Sequence, residues 1–169
     1  TIINAFNKNM TEGGWISKDL PDLANKFNTN AISGNGDIIL VEADEFDRTF
    51  LSLQPTLSII NNLDLEHLDC YESLSDLQSA FIQFANSVPF YGLVSLCIDS
   101  ENVRNIIKEI KRPIITFGTN KDASIRAADI KYNKFNTKFK LYHDNKFLSK
   151  ISINTPGNHN VLNALSAIS

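Results

Sequence analysis

Short aliphatic and β-branched runs alternate with helical patterns along residues 37–117, and this alternation constrains the fold more than any other feature. Strands are predicted where short apolar runs end in turn residues, and helices where apolar residues repeat at helical spacing. The predicted strands cover 37–43, 57–61, 93–98 and 114–117, and the predicted helices cover 73–88 and 101–110. Strands that alternate with helices indicate an α/β protein with a mostly parallel sheet flanked by helices.

The chain after residue 123 has a different pattern. Polar and apolar residues alternate over 124–130, 135–142 and 146–153, which is typical of antiparallel strands. We therefore expect a small antiparallel β-subdomain toward the C-terminus. A helix is predicted from about His159, after the break Thr-Pro-Gly-Asn at 155–158. Before residue 37 we expect the end of a helix over 1–9, a short strand at 15–17 and a turn at 34–36.

Composition narrows the class of protein. The chain has 169 residues, of which 43% are hydrophobic, so it is expected to form one folded domain. Sixteen basic and nineteen acidic residues give a net charge of −3, which argues against nucleic acid as a partner. No apolar run is long enough to span a bilayer, and no membrane partner is expected. Cys70 and Cys97 form neither a CxxC pair nor a disulfide framework, so a cytoplasmic location is expected.

Acidic and amide side chains follow two of the predicted strands. Four carboxylates fall within the seven residues VEADEFD at 41–47, and amides, acids and one histidine fill the segment 61–69. Because ligands of open α/β sheets bind beyond the carboxyl ends of the strands, both segments are expected to line one crevice. Oxygen ligands of this kind suit Mg²⁺ bound together with substrate phosphates. The alternative is that the acids are solvated or cap helices, and that the histidine is structural.

The ordered motifs of the chain resemble those of the Mur ligases. The segments are VEADEFDRTFLSLQP, INNLDLEHLDCY, VPFYG, ITFG and PGNHNVLNA. Each alone is weak, but the ordered set is specific and covers the chain from about residue 13 onward. The resemblance implies the P-loop-type central domain of enzymes that make peptidoglycan precursors in the cytoplasm. Within the family, it implies the members that use ATP and Mg²⁺ to add L-alanine to UDP-N-acetylmuramate through an acyl phosphate.

The resemblance also implies roles for residues that follow the first two predicted strands. Glu42 is expected to bind Mg²⁺ near the γ-phosphate of ATP. His67 is expected to hold a second metal or the end of the substrate, and Asn62 to shape the same loop.

The last motif implies contacts with the adenine from His159, Asn160 and Asn163. Two amides that are three residues apart at the start of a helix lie on one face, and an amide can both donate to and accept from a base edge. In the alternative interpretation, Asn158 is the N-cap of the helix and the other polar residues are solvated.

Departures from the family pattern limit these expectations. Glu66 stands in place of the usual Asp before the histidine, and Asn158 stands where an Arg is common. The sequence contains no GxxxxGK[ST] phosphate loop. We therefore expect residues 1–169 to be most of the central ATP-binding domain without this loop, as a fragment that is inactive alone. The N-terminal UDP-sugar domain and the C-terminal amino-acid domain are expected to lie outside this sequence.

Other functions are compatible with parts of the pattern. The nearest is the murein-tripeptide recycling ligase of the same family, but only residues 51–54 separate Phe50 from Pro55, where that relative carries an insertion. Several members that add other amino acids need a carbamylated lysine, and the predicted helix 73–88 contains no lysine. Outside this class, the alternatives are a non-catalytic nucleotide- or metal-binding module and a scaffold domain with solvated acids.

Overall fold

The computed structural model describes residues 38–46, 48–64 and 70–169. Within these ranges, six strands form one sheet in the order in which they follow along the chain. They are β1 (Leu57–Ile60), β2 (Leu93–Cys97), β3 (Ile114–Gly118), β4 (Ile125–Tyr132), β5 (Thr137–His143) and β6 (Lys146–Ile153). Neighbours from β1 to β4 are parallel, and β5 and β6 add antiparallel pairs. The predicted α/β class, with antiparallel strands toward the C-terminus, is confirmed.

In the part of the chain that the structure describes, three α-helices flank the sheet: α1 (Leu74–Ser87), α2 (Glu101–Ile106) and α3 (Asn158–Ile168). α1 begins after Ser73, whose hydroxyl accepts the backbone N–H of Asp76 at 3.2 Å and so caps the helix. A short 3-10 helix (Thr49–Ser52) lies against α1, and its Phe50 ring is centred 5.4 Å from the ring of Phe81. This contact attaches the segment before β1 to the helical layer.

The sheet buries apolar side chains on both faces. Val94 and Leu96 of β2 belong to one buried cluster with residues of α1 and α2. Cys97 and Phe117 belong to a second cluster with Leu165 of α3. Because side chains alternate along a strand, β2 contributes to both clusters, and the domain has helices on both sides of the sheet.

The last three strands form an arm that extends beyond the parallel part of the sheet. Only the last two residues of β3 pair with β4, at its first two positions, so most of β4 continues past the carboxyl end of β3. The end of this arm is attached to the segment before α3. The Tyr132 hydroxyl donates to Asn158 Oδ1 at 3.3 Å, and the Thr137 hydroxyl donates to the Thr155 carbonyl at 2.9 Å. The start of α3 therefore lies on the carboxyl side of the sheet.

One predicted strand is wrong. Residues 38–43 form no strand, and Ile38 and Ile39 are 73% and 69% exposed. An apolar run becomes a strand only where a neighbour supplies backbone hydrogen bonds, and β1 is the edge of the sheet within the described residues. The predicted helix 101–110 is shorter, because a 3-10 helix (Ile107–Glu109) follows α2. The expectations for residues 1–37, 47 and 65–69 lie outside the described residues.

The helices and the two cysteines of the described residues have simple properties. None of the helices in the described ranges has the length and apolar content to cross a membrane. Cys70 and Cys97 are free thiols. Cys97 is buried in the cluster beneath α3, where burial raises the pKa of its thiol, so it packs as a small apolar residue.

Candidate functional site

The candidate site runs along the carboxyl ends of the parallel strands. Residues 61–64 follow β1, Asp99 follows β2, and Gly118 ends β3. The start of α3 lies on the same side of the sheet. Open α/β sheets bind their ligands at this edge, because the loops that leave the strands converge there.

The acidic segment, residues 38–46, carries the predicted metal ligand Glu42. Glu42 is half-buried, and its Oε2 is shielded from solvent. The Tyr71 hydroxyl donates to the Glu45 backbone oxygen at 2.6 Å, which attaches the segment to the chain before α1. Burial raises the pKa of Tyr71 to about 12, so this donor keeps its proton at neutral pH. Asp44 instead accepts the N–H of Phe46 at 2.9 Å and closes a local turn.

Arg48 forms several contacts with the chain around residues 70–76, next to the acidic segment. Its side chain pairs with the Asp76 carboxylate and donates to the Cys70 carbonyl at 2.9 and 3.3 Å. Its guanidinium also lies 4.6 Å from the centre of the Tyr71 ring. The hydrogen bond with Arg48 lowers the pKa of Asp76, and the same bond raises the pKa of Arg48. These contacts give Arg48 a structural role beside the acidic segment.

Two neighbouring amides follow β1 and lie in different surroundings. Asn62, which the sequence predicts to shape the loop, is exposed, and its Nδ2 donates to the Asp64 carboxylate. Asn61 is half-buried, and its Oδ1 is shielded from solvent with no hydrogen-bond partner among the described residues. A buried polar atom left unsatisfied costs about 1–3 kcal/mol. A bound cation or hydrogen-bond donor would remove this cost.

Asn61 belongs to the segment 61–69 that was expected to line the crevice, but no role of its own was predicted for it. The available signal was its position at the end of a strand, where successive side chains point to opposite sides. The loop beyond it is held by Leu63, which is buried, and whose carbonyl accepts the Asn102 amide at 2.8 Å. The backbone on both sides of Asn62 is therefore fixed to the sheet and to α2.

The oxygen atoms present fit Mg²⁺. This ion usually binds one or two protein oxygens, several waters and the phosphates of a substrate. Glu42 offers a carboxylate with a shielded oxygen, and Asn61 offers an unpartnered amide oxygen. No group of three or more His, Cys, Asp or Glu residues that could hold a metal occurs in the part of the chain that is described. The second predicted ligand, His67, lies outside the described residues.

Asp99 links the ends of β2 and β3. Its carboxylate accepts the Thr119 N–H at 3.0 and 2.8 Å, the Thr119 hydroxyl at 2.7 Å and the Asn120 N–H at 3.0 Å. Gly118 precedes these donors, and a Cβ on it would lie 2.3 Å from Asp99 Oδ1. Glycine is therefore needed where the carboxylate approaches the backbone. Gly118 ends the ITFG motif, but no role was predicted for it from the sequence.

α3 begins without a side-chain cap. Gly157 is the N-cap residue at φ 106°, and a Cβ there would lie 2.7 Å from Cε1 of His159. The interpretation of Asn158 as the N-cap is therefore wrong. Asn158 is the first helical residue, and its Oδ1 accepts the Tyr132 hydroxyl. Uncapped N–H groups and the positive end of the helix dipole favour an anion nearby.

The three residues predicted to contact adenine lie in the first two turns of α3. His159 is exposed, while Asn160 and Asn163 are half-buried. The Asn160 amide donates to the Pro156 carbonyl at 2.7 Å, which orients the side chain and leaves its oxygen as an acceptor. Their spacing places the two amides on neighbouring positions of one helix face. Contact with a base stays a prediction.

Comparison with known proteins gives a consistent picture. A family model described as the Mur ligase middle domain matches residues 24–169. The UDP-N-acetylmuramate–L-alanine ligase of Persephonella marina is 48% identical over 143 residues, which are 85% of this chain and 30% of that protein. The enzyme of the same name from Salinibacter ruber is 43% identical over 142 residues, which are 84% of this chain and 30% of that protein.

A solved structure gives a similar result. The crystal structure of UDP-N-acetylmuramate-alanine ligase from Thermotoga maritima matches with a TM-score of 0.73 and 25% identity. The match covers 95% of this chain and 35% of that one. The chain thus spans about 30% of the length of the curated relatives it matches.

Proposed function

The chain belongs to the Mur ligase family, and on that premise we propose that the complete protein is an ATP-dependent ligase that joins L-alanine to UDP-N-acetylmuramate. The observation that carries the proposal is the 40–48% identity to relatives named for this activity. The product is a peptidoglycan precursor, and we place the reaction in the cytoplasm. The two free cysteines agree with a reducing compartment.

The proposed reaction has two steps. An oxygen of the substrate carboxylate attacks the γ-phosphorus of ATP, and the bond to ADP breaks. The amine of L-alanine then attacks the acyl carbon, loses a proton and displaces phosphate, so that an amide forms. Phosphoryl transfer depends mainly on positioning and on stabilisation of negative charge. Mg²⁺, when bound, supplies that stabilisation at the phosphates.

Three residues are proposed to hold the metal and shape its surroundings. Glu42 provides a carboxylate ligand, His67 the second protein ligand, and Asn61 a further oxygen. The shielded oxygen atoms of Glu42 and Asn61 support the first and third assignments. Tyr71 acts as a positioning residue, because its hydrogen bond restrains the acidic segment that carries Glu42.

The nucleotide base is proposed to lie at the start of α3. Asn160 and Asn163 offer amides to the base edge, and His159 offers an exposed ring beside them. The hydrogen bond between Tyr132 and Asn158 supports this placement, because it holds the first turn of the helix in position. Asn158, where an Arg is common, therefore contacts the arm in this protein.

The extent of the domain is also part of the proposal. Residues 1–169 are most of the central ATP-binding domain, and the UDP-sugar and amino-acid domains belong to other parts of the complete protein. The absence of a GxxxxGK[ST] stretch from this sequence supports the view that the phosphate loop is supplied from elsewhere. Residues 1–169 alone are then expected to be inactive.

Phosphate release by the complete protein tests the proposed function. With ATP and Mg²⁺, release should require both UDP-N-acetylmuramate and L-alanine, and mass spectrometry should detect the alanyl product. Replacing L-alanine by the tripeptide L-alanyl-γ-D-glutamyl-diaminopimelate tests the recycling ligase. Turnover of the tripeptide but not of L-alanine would overturn the amino-acid assignment. Nucleotide binding without any ligation would indicate a non-catalytic module.

A further inference from the structure

The arm, residues 124–153, has a charge opposite to that of the rest of the chain. It contains seven lysines and arginines against two aspartates, a net charge of +5. Since the whole chain carries −3, the other residues carry −8. The net charge of the chain conceals this separation. A charge asymmetry of this size indicates a partner with a strong charge of its own.

The register of the arm places its cations on one face. Phe139 and Leu141 of β5 are buried in the cluster beneath α3, so Lys138 and Lys140 point to the opposite face. Lys138 lies directly opposite Lys131 of β4. In the same way, Lys140 lies directly opposite Lys150 of β6.

Like charges at directly opposite positions destabilise a sheet. One of the four lysines is compensated, because Lys140 Nζ lies 2.6 Å from Asp129 Oδ2. Lys131, Lys138 and Lys150 form no ion pair within the described ranges. An anion near this face would offset the repulsion between them.

The end of the arm lies next to the proposed nucleotide site. Tyr132 and Thr137, which attach the arm to the segment before α3, are the chain neighbours of Lys131 and Lys138. Consecutive Cα atoms are about 3.8 Å apart, so the backbone of this lysine pair lies close to the segment before α3, while its side chains project from the opposite face of the arm. At physiological ionic strength, charges interact over about 8–10 Å before screening dominates.

We propose that the arm is an electrostatic guide that draws a nucleoside polyphosphate to the carboxyl edge of the sheet, with the Lys131 and Lys138 pair as its main contributor. The inference rests on the proposed function. Such a ligand is a polyanion, and the acidic remainder of the chain repels it. Lysines act as mobile point charges rather than as the bidentate partners that arginines form, which suits attraction at a distance.

Association kinetics of the complete protein test the guide. The probe is the fluorescent analogue mant-ATP with Mg²⁺, mixed in a stopped-flow instrument at about 20 mM and about 500 mM salt. The K131E/K138E variant should bind about tenfold more slowly at low salt, with a dissociation rate within about twofold of the original. The difference should shrink to about twofold at high salt. The milder K131Q/K138Q variant should fall between the two proteins.

The matched control is K108E/K111E. These lysines are also exposed, but they precede β3 and so lie at the opposite end of the parallel strands. The control changes the net charge equally and should alter the association rate by less than about twofold. Equal slowing in both double variants, or no slowing in either, would overturn the guide. A faster dissociation rate alone would also overturn it, since that indicates direct contact.

Nucleotide binding by the unsubstituted protein distinguishes a failure of the electrostatic guide from a failure of the proposed ligase function. If it binds mant-ATP at similar rates to K131E/K138E, the guide fails and the proposed ligase function is unaffected. If the original protein binds no nucleotide under any condition, the proposed function fails, and the guide fails with it.

Discussion

Replacing Gly118 by alanine tests the link between the ends of β2 and β3. The added Cβ would lie 2.3 Å from Asp99 Oδ1 and 2.9 Å from Asp99 Cγ, far inside van der Waals contact. The carboxylate must then leave its partners on Thr119 and Asn120. Hydrogen bonds to a charged group contribute about 1.5–3 kcal/mol each, and the low end applies at an exposed position. Losing all three donors should cost about 4–5 kcal/mol. The strain of alanine at φ 155° adds about 1–2 kcal/mol.

A double-mutant cycle with Asp99→Ala isolates the clash. Asp99→Ala removes the same hydrogen bonds and should cost about 4–5 kcal/mol. In that background Gly118→Ala meets no carboxylate, and only the strain of alanine at φ 155° remains, about 1–2 kcal/mol. The double variant should therefore be more stable than the sum of the single variants by about 4–5 kcal/mol, because it loses these hydrogen bonds only once.

Native-state hydrogen exchange of the complete protein measures these free energies. Peptides that cover β2 and β3 are followed by mass spectrometry, since a protein of several domains need not unfold in one step. Asp122→Ala is the control, because this exposed carboxylate has only a 3.9 Å ion pair with Arg104. It should cost less than about 1 kcal/mol. Single costs that add within about 0.5 kcal/mol would refute the steric argument.

Three further substitutions test the site and the core. Glu42→Ala in the complete protein should lower kcat at least about 100-fold with an unchanged circular dichroism spectrum, because the proposed metal ligand is lost. Near-normal turnover would contradict the metal assignment. Leu77→Ala should cost about 2–5 kcal/mol of stability, because the Leu77 side chain is 1% exposed. The kcat of this variant at low temperature should be normal. An unchanged melting temperature would show that the surroundings of Leu77 are not tightly packed. Burial raises the pKa of Tyr71 from 10.0 to about 12. The stability that the protonated Tyr71 side chain contributes is therefore full below pH 10 and is lost as the pH rises toward 12. Tyr71→Phe should reduce this alkaline loss in unfolding experiments, and an identical pH dependence in both proteins would argue against the assignment.

Local patterns predicted much of the fold. The cap formed by Ser73 and Asp76, the antiparallel strands after residue 123 and the helix at the last motif all arise from side chains a few positions apart. Such features are accessible because caps, turns and alternation are determined within one or two turns of chain.

The candidate site could be predicted only in part from the sequence. The resemblance to the Mur ligases implied roles for Glu42, Asn62 and the residues at the start of α3, and these roles stay predictions. The pattern did not distinguish Asn61 from Asn62, because burial of the first amide depends on what packs over the end of β1. The role of Gly118 was equally inaccessible, since its neighbour Asp99 lies on another strand.

The sequence by itself determined the class of the fold, the helix boundaries that carry caps and the family to which the chain belongs. Tertiary structure alone decided that residues 38–43 have no strand partner in the described sheet, that Asp99 fills the space beside Gly118, and that the lysines of the arm share one face. The physical reason is the range of the forces involved. Helical and turn preferences act between near neighbours in the chain, whereas strand pairing, burial and charge clustering join residues that only folding brings together.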